Sequence, residues 1–541
     1  MKKLKWDLTE IFNTLDDAYV EYVEIEKRCI KFLDKKRKIV GQKNIKKHID
    51  ELNDLLVRME KLHMYFSLST DLDKENTAKF KEDICCIYDL MLVMKAYTKE
   101  QLVKHNKKNL DVYIEQMPEY RLILEDAKRE AILGKENTQQ ELDFKTAYEQ
   151  IFYKYFKEPT QTISADLTDD EAFKEQSIYF LQAYKKIEKY IVKMAKIYSN
   201  TLAIMAKQSG CKSSLEMFSV QDEISIKALN NVLDMTRSKK ATEGIVELMN
   251  TTFETDVKTY EMFQTYIEAI SEYEVDKQEV YKCVVAALSI LGDDYVEQLN
   301  SAYIDNWVND VEGMLGGNCQ SIYCMHPYIQ ISLDQGINSI FTLAHELGHG
   351  VYENMKKGNT KYLNMSMVNL ATEIPSMVNE LLVYENLFKH SNSEEKDRFK
   401  YLYVVRLYTN LIYEGVMANL EKSIIENGSK DISKRYFNLL NNAYAGSIQI
   451  DPLNMYEWIC IPDIYNNMYS YRYVLGTVVA INIVQRIVSK EEGFKEKYLA
   501  YLDANNSVNP EKLLKDLLGI DLTSKALVEE AYEYLENVIY N

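Results

Sequence analysis

Two histidines and a glutamate are the residues of this 541-residue chain whose spacing points most directly to chemistry. His345 and His349 are four positions apart. On a helix with about 3.6 residues per turn both side chains therefore project from one face and can share a metal ion. Glu346 follows His345 directly and can reach a water molecule beside that metal. This H-E-x-x-H pattern is typical of zinc-dependent hydrolases, so we predict one zinc ion here, with Glu346 as the general base.

A catalytic zinc ion commonly has three protein ligands, so a further residue is required. The next histidine after His349 is His390, which excludes the short His-to-His spacing of the metzincin site. The remaining candidates are carboxylates: Glu353, Glu373, Glu380 and Glu385. Glu353 would have to reach along its own helix axis, whereas Glu373 lies in a second helical segment that can fold back against the first. Glu380 shares a helix face with Glu373 and is predicted to hydrogen-bond a ligand histidine. The residues alone leave this choice open.

The composition predicts a mainly α-helical globular protein. The chain is 46% hydrophobic and 27% charged, and no proline falls between Pro159 and Pro327. A length of 541 residues exceeds what one core usually organises, so more than one domain is expected.

Charge and cysteine usage restrict the partners and the compartment. The net charge of −18 disfavours nucleic acid and anionic membrane surfaces as partners. The run 474–488 contains polar residues and is too short for a membrane span, so we predict a buried helix there. The eight cysteines follow no disulfide or zinc-ribbon pattern, which predicts a reduced, cytoplasmic protein. The sequence is silent on the oligomeric state.

A strand is predicted immediately before the metal-binding helix. Between residues 328 and 333, Ile329, Ile331 and Leu333 alternate with more polar residues. A free edge of such a strand could hold an extended peptide beside the metal. A purely structural hairpin is the alternative interpretation.

Several segments resemble the thimet oligopeptidase and oligoendopeptidase F family of zinc peptidases, most closely the oligoendopeptidase F branch. The specific motifs are Phe341–His349 and Glu373–Ser376. Weaker similarities extend the resemblance over nearly the whole chain, at Trp6–Thr9, Trp307, His326–Pro327 and 458–476.

The resemblance implies that Glu373 is the third zinc ligand. It also implies a two-lobed, mainly helical fold with a deep substrate channel and a small β-sheet beside the H-E-x-x-H helix. An N-terminal helical lobe, residues 1–200, would roof the cleft of a catalytic domain formed by residues 201–541.

A tyrosine-rich segment supplies candidates for transition-state stabilisation. Tyr465, Tyr469 and Tyr473 repeat every four residues, so one helix face would carry three hydroxyl groups. In the family a tyrosine of this segment stabilises the tetrahedral intermediate, and the resemblance maps that role to Tyr471. It further implies that Tyr465, Tyr469 and His326 contact the substrate.

Two departures from the family pattern concern substrate preference. Asp463 stands where oligoendopeptidase F chains usually have a histidine, and a carboxylate cannot donate the same hydrogen bond. The glycine-containing segment Gly313–Cys319 lacks the basic residue often found there.

We therefore expect a zinc endopeptidase that hydrolyses short oligopeptides. A zinc carboxypeptidase or dipeptidyl carboxypeptidase with the same ligands is the nearest alternative. A metal-dependent deacylase is disfavoured by the predicted strand edge. A helical peptide-binding or scaffold protein with a vestigial metal site is disfavoured by the intact Glu346.

Overall fold

Helices dominate the residues that the computed structural model describes, which are 4–34, 39–72, 75–133, 170–236, 238–253, 275–314, 316–358, 361–364, 369–391, 393–444, 446–504 and 509–540. The α-helices in these ranges are α1 (Leu15–Leu33), α2 (Gln42–Leu72), α3 (Glu75–Asn106), α4 (Leu110–Gln116), α5 (Arg121–Leu133), α6 (Asp170–Gln208), α7 (Ser214–Gln221), α8 (Ile226–Val232), α9 (Ser238–Phe253), α10 (Lys277–Leu288), α11 (Asp293–Ile304), α12 (Ile337–Met355), α13 (Asn369–His390), α14 (Ser393–Tyr408), α15 (Glu414–Asn427), α16 (Ile432–Tyr444), α17 (Tyr471–Val488), α18 (Phe494–Leu502), α19 (Pro510–Leu518) and α20 (Lys525–Tyr540). The mainly α-helical prediction is confirmed.

The buried apolar side chains form two principal cores. The smaller core joins helices α1 to α5 through residues such as Ile25, Leu52 and Tyr120. The larger core contains α6 from Ile187 onward, including Tyr198, and extends to α20. The predicted domain boundary at residue 200 therefore falls inside a helix of the larger core. Residues 134–169 of the predicted N-terminal lobe lie outside the described ranges.

A three-stranded sheet lies beside α12. Its strands are β1 (Val308–Asp310), β2 (Gly317–Gln320) and β3 (Tyr328–Ile331), in the order β1-β3-β2. Strand β3 pairs in parallel with β1 and antiparallel with β2. The predicted strand therefore exists, but the expectation that it offers a free edge to substrate is wrong, because both of its edges are paired. Within this sheet β2 is the edge strand beside α12.

Helices α12 and α13 approach each other closely. A Cβ atom at Gly348 of α12 would lie 2.5 Å from Cα and 2.7 Å from N of Ser376 in α13, so only glycine fits. One turn earlier, Asn379 Nδ2 donates a hydrogen bond to the Ala344 carbonyl, at 3.0 Å. This contact holds α13 against the histidine-bearing face of α12.

The apolar run 474–488 forms most of α17, which packs against α13 and α20, as predicted for a buried helix. Among the helices of the described ranges, none combines the length and apolar character needed to cross a membrane.

The replacement Gly348→Ala tests the close contact of α12 with α13. Because the added methyl group overlaps backbone atoms of Ser376, we expect a loss of about 1–3 kcal/mol of stability, seen as a lower midpoint of thermal unfolding. The matched control is Gly476→Ala in α17, where the new Cβ would meet Glu373 and Met377 at an ordinary 3.6 Å. The control should unfold at or above the wild-type temperature. Equal stability of Gly348→Ala and wild type would contradict the contact.

Candidate metal centre and active site

Helices α12 and α13 bring three potential metal ligands together. His345 and His349 turn their Nε2 atoms toward each other, 3.1 Å apart. Glu373 faces both imidazoles, with Oε2 at 3.7 Å from His345 Nε2 and Oε1 at 3.9 Å from His349 Nε2. In the described part of the chain, this is the one group of three such residues whose ligand atoms all lie within 4.8 Å of one another.

The donor set fits zinc. Two nitrogen ligands in a tetrahedral zinc site, with bonds of about 2.0–2.1 Å, lie about 3.3 Å apart, close to the observed spacing of the imidazoles. The Oε2 atom of Glu373 is buried and accepts no hydrogen bond from the described residues. Burial raises the pKa of this carboxyl group, although the positive charges of His345, Arg472 and Arg406 lower it. A divalent cation among the three potential ligands would stabilise the ionised carboxylate and contact its unpartnered oxygen.

Glu380 fixes the orientation of His345. Its Oε1 atom lies 2.6 Å from His345 Nδ1, which leaves Nε2 directed at the metal position. Arg406 of α14 donates two hydrogen bonds to the same carboxylate. Its Nε lies 2.7 Å from Glu380 Oε2, and its Nη2 lies 2.9 Å from Glu380 Oε1. The structure thus places Glu380 where the sequence predicted a hydrogen-bond partner for a ligand histidine.

The charges of this group decide the protonation states around the metal position. Burial opposes ionisation of Glu380, but Arg406 and His345 outweigh it and lower the pKa of Glu380 to about 2. Burial likewise opposes the charged form of His345, yet the hydrogen bond and charge of Glu380 raise its pKa to about 9. Burial and the positive charge of His345 lower the pKa of His349 to about 3, so the His349 imidazole is neutral.

Glu346 lies beside the metal position in the wall of the cleft. The residue is only 6% exposed, and burial raises the pKa of its carboxyl group to about 7. Such a group can accept and return a proton near neutral pH. Strand β2 packs directly against it, because a Cβ at Gly317 would lie 2.6 Å from Glu346 Cγ.

The other two carboxylates considered as third ligand lie away from the metal position. Glu353 lines the same cavity but is not part of the three-ligand group, and burial raises the pKa of its carboxyl group. Glu385 accepts a hydrogen bond from the Tyr534 hydroxyl. Neither group belongs to the set of ligand atoms within 4.8 Å of one another, whereas Glu373 does.

The three potential ligands, Glu346 and Arg406 line one cavity of about 840 Å³. Its wall combines residues of the small sheet, of α2 and α12 to α15, and of the segment before α17. Residues of its wall include Glu60, Gly316, Gly317, Asn318, Cys319, His345, Glu346, His349, Glu373, Arg406, Thr409, Asn410, Tyr413, Glu414, Asp463, Tyr469 and Tyr473. Asp463, the residue that departs from the family pattern, therefore lies in the cleft.

The tyrosine segment is arranged differently from the prediction. Tyr469 and Tyr473 line the cavity, and their hydroxyl oxygens are 2.7 Å apart. Tyr465 instead belongs to the short 3₁₀ helix Pro462–Tyr465, and its hydroxyl donates to the Ile191 carbonyl, at 3.4 Å. The single helix face expected for all three tyrosines is wrong, because α17 begins only at Tyr471.

The structure does not bring Tyr471 to the cavity. Its side chain is 1% exposed, and its hydroxyl donates a hydrogen bond to Asp222. Successive helical residues are rotated by about 100°, so Tyr471 and Tyr473 point about 200° apart. This rotation corrects the mapping: Tyr473, rather than Tyr471, faces the metal side.

His326 also lies outside the cavity wall. Its ring stacks on Trp307 with the centroids 5.7 Å apart, and its Nε2 lies 3.2 Å from Glu10 Oε2. The predicted contact of His326 with substrate is therefore replaced by a contact with the N-terminal segment of the chain.

Several residues of the site gave no signal in the sequence. Arg406 and Glu414 resemble ordinary charges of an amphipathic helix. Between them the helix widens into a π-helical turn, Thr409–Tyr413, which turns Thr409, Asn410 and Tyr413 toward the cleft. Such turns often occur at functional sites, but no residue pattern predicts this one.

Comparisons with known proteins show similarity in sequence and in fold. A sequence model described as Peptidase family M3 matches residues 164–534. An oligoendopeptidase F homolog of Borreliella burgdorferi is 24% identical over 97% of this chain and 95% of its own length. An oligoendopeptidase F homolog of Lactococcus lactis is 23% identical over 99% of this chain and 96% of its own length. The solved structure of oligoendopeptidase-F from Enterococcus faecium has the same fold, with a TM-score of 0.67 at 17% identity and 96% of each chain covered.

Replacement of Glu380 tests its role behind His345. Glu380→Gln removes the charge that holds the imidazole, so we expect about 10- to 100-fold weaker zinc binding, measured by competition with a chelator. The matched control is Glu385→Gln on the same helix, which contacts Tyr534 instead. The control should bind zinc like the wild type. Equal zinc affinities of the two variants would contradict the role of Glu380.

Proposed function

Since this chain belongs to peptidase family M3, we propose that it is a zinc-dependent endopeptidase that hydrolyses short oligopeptides. The resemblance seen in the sequence is confirmed by the family match. The observation that carries the proposal is the His345, His349 and Glu373 group with Glu346 beside it in one cavity.

His345, His349 and Glu373 would hold one zinc ion. When bound, zinc supplies a Lewis acid that activates water and polarises the scissile carbonyl group. Glu380 and Arg406 keep the His345 imidazole oriented for this role. The neutral state of His349 leaves its Nε2 lone pair available as a ligand.

Glu346 would act as the proton carrier. A carboxylate whose pKa lies near 7 can take a proton from the attacking water and then deliver it to the leaving amine. Its burial against Gly317 limits access of bulk water on that side.

The Tyr469 and Tyr473 hydroxyls would stabilise the negative charge that develops on the carbonyl oxygen. Burial raises the pKa of both phenols, and the charge of Glu373 raises that of Tyr473 further, so both keep their protons. At 2.7 Å one hydroxyl donates to the other, which leaves one proton for the substrate.

Strand β2 would align the peptide backbone. It is the edge strand next to Glu346, and Gly316 to Cys319 line the cavity. An extended peptide can pair with such an edge through main-chain hydrogen bonds. A cavity of about 840 Å³ accommodates a short extended segment but no folded domain, whose radius of gyration is about 13 Å at 100 residues.

Zinc removal and Glu346→Gln together test the proposed chemistry. With a quenched fluorescent peptide blocked at both ends, we expect cleavage by the zinc-loaded wild type and loss of cleavage after chelation. Glu346→Gln should keep its zinc and lose about 10²–10⁴-fold in kcat, because the proton carrier is gone.

The blocked peptide separates the alternatives. A carboxypeptidase or dipeptidyl carboxypeptidase requires a free terminal carboxylate and would leave it intact. Cleavage of only the peptide with a free C-terminus, or equal rates for wild type and Glu346→Gln, would refute the proposal.

Single replacements of the two cavity tyrosines test the proposed donor. Tyr469→Phe and Tyr473→Phe each remove one hydroxyl, and loss of an oxyanion donor lowers kcat about 10²–10³-fold. We expect one of them to show this loss with little change in KM. Tyr465→Phe, which alters a buried hydroxyl outside the cavity, is the control and should keep its kcat. A loss of kcat in the control alone would contradict the assignment.

A further inference from the structure

We propose that Asp222 is a positioning residue that sets which tyrosine hydroxyls reach the active site. It lies 249 positions before Tyr471 in the sequence and does not line the cavity. This inference rests on the proposed function, because it concerns the hydroxyls assigned to oxyanion stabilisation.

Asp222 holds the first two residues of α17. The Tyr471 hydroxyl donates a hydrogen bond to Asp222 Oδ2. Arg472 Nη2 lies 3.1 Å from both carboxylate oxygens, and its Nε lies 3.3 Å from Oδ2. One carboxylate thus fixes two consecutive side chains of the helix.

This contact is buried, which makes it rigid. The side chains of Arg472 and Asp222 are only 12% and 8% exposed. Burial opposes the charge of Arg472, but Asp222 outweighs this and raises the pKa of the guanidinium group. Removing one partner of such a pair leaves the other charge buried without compensation. The pair therefore resists rotation of the first turn of α17.

The rotation of that turn determines where Tyr473 points. With about 100° per residue, fixing Tyr471 toward Asp222 places Tyr473 on the opposite side of the helix, toward the cavity. Tyr473 in turn contacts Tyr469 through their hydroxyl groups. Rotating the helix start by one residue would move the Tyr473 hydroxyl away from the metal side.

The segment before α17 is also fixed by contacts with distant parts of the chain. Asn467 and Met468 have φ angles of 53° and 60°, a left-handed conformation that costs energy for residues other than glycine. The Asn467 amide donates to the Tyr198 hydroxyl at 3.1 Å, and the Ser470 amide donates to Glu421 at 3.4 Å. The strained turn that presents Tyr469 is thus stabilised by contacts on both sides, and Asp222 provides the anchor immediately after it.

A double-mutant cycle distinguishes positioning from simple stabilisation. Asp222→Asn keeps the shape of the side chain but removes the charge that holds Arg472. In the wild-type background we expect kcat to fall about 10- to 100-fold with KM within about twofold, since a displacement of about 1 Å can cost 100-fold. In a Tyr469→Phe, Tyr473→Phe background the same replacement should change kcat less than about twofold, because the groups it positions are absent.

Glu223→Gln is the matched control. Glu223 follows Asp222 in the same turn, and its side chain pairs instead with Arg121 at 3.3 Å. We expect this variant to keep kcat even where its thermal unfolding midpoint falls. An equal fold-loss for Asp222→Asn in both backgrounds, or a loss of kcat in Glu223→Gln as large as in Asp222→Asn, would overturn the proposal.

Crystal structures of the wild type and Asp222→Asn give a readout that does not depend on activity. A shift of the Tyr473 hydroxyl by about 1 Å or more supports the proposal, and an unchanged position overturns it. If the wild type fails to cleave peptide, the proposed function fails, whereas this comparison still decides whether Asp222 positions the two tyrosines.

Discussion

The close approach of α12 and α13 at Gly348 is the constraint on which the site depends. A larger residue would overlap the backbone at Ser376, so the separation of the two helices is set by the absence of a side chain. At this separation Glu373 reaches the histidine pair and Glu380 reaches the far side of His345. A metal site with ligands on two helices needs such a fixed distance, because its ligands tolerate little displacement.

Buried charge is the second organising feature. The cleft contains several carboxylates whose ionisation is opposed by burial, among them Glu346 and Glu373. Arg406, which lines the cleft, compensates the buried Glu380 behind it through two hydrogen bonds. The remaining negative charge is what a divalent cation would neutralise. The same electrostatics explains why one histidine favours a proton and the other remains neutral in the absence of metal.

The groups that would act on the substrate come from distant parts of the chain. Strand β2 lies before α12, while Tyr469 and Tyr473 follow it by more than a hundred residues. Neither β2 nor the two tyrosines are positioned by the potential metal ligands. Strand β2 is positioned by its pairing with β3, and the tyrosines by the contacts around Asp222. The proposed binding edge and the proposed oxyanion donors therefore depend on contacts made outside the H-E-x-x-H motif itself.

Local sequence determined the H-E-x-x-H helix, because helical periodicity alone places His345 and His349 on one face with Glu346 beside them. It also determined the mainly helical fold and the burial of α17, since both follow from composition and apolar patterning. Resemblance to a family singled out Glu373 as the candidate third ligand, and the residues alone left several carboxylates open; the structure brings Glu373 together with the two histidines. Tertiary structure decided the rest. Strand β3 has no free edge because β1 pairs with it on one side and β2 on the other, which leaves β2 as the edge strand beside α12. Tyr473 rather than Tyr471 faces the cleft because Asp222 sets the rotation of α17, and a contact across 249 positions leaves no local pattern to read.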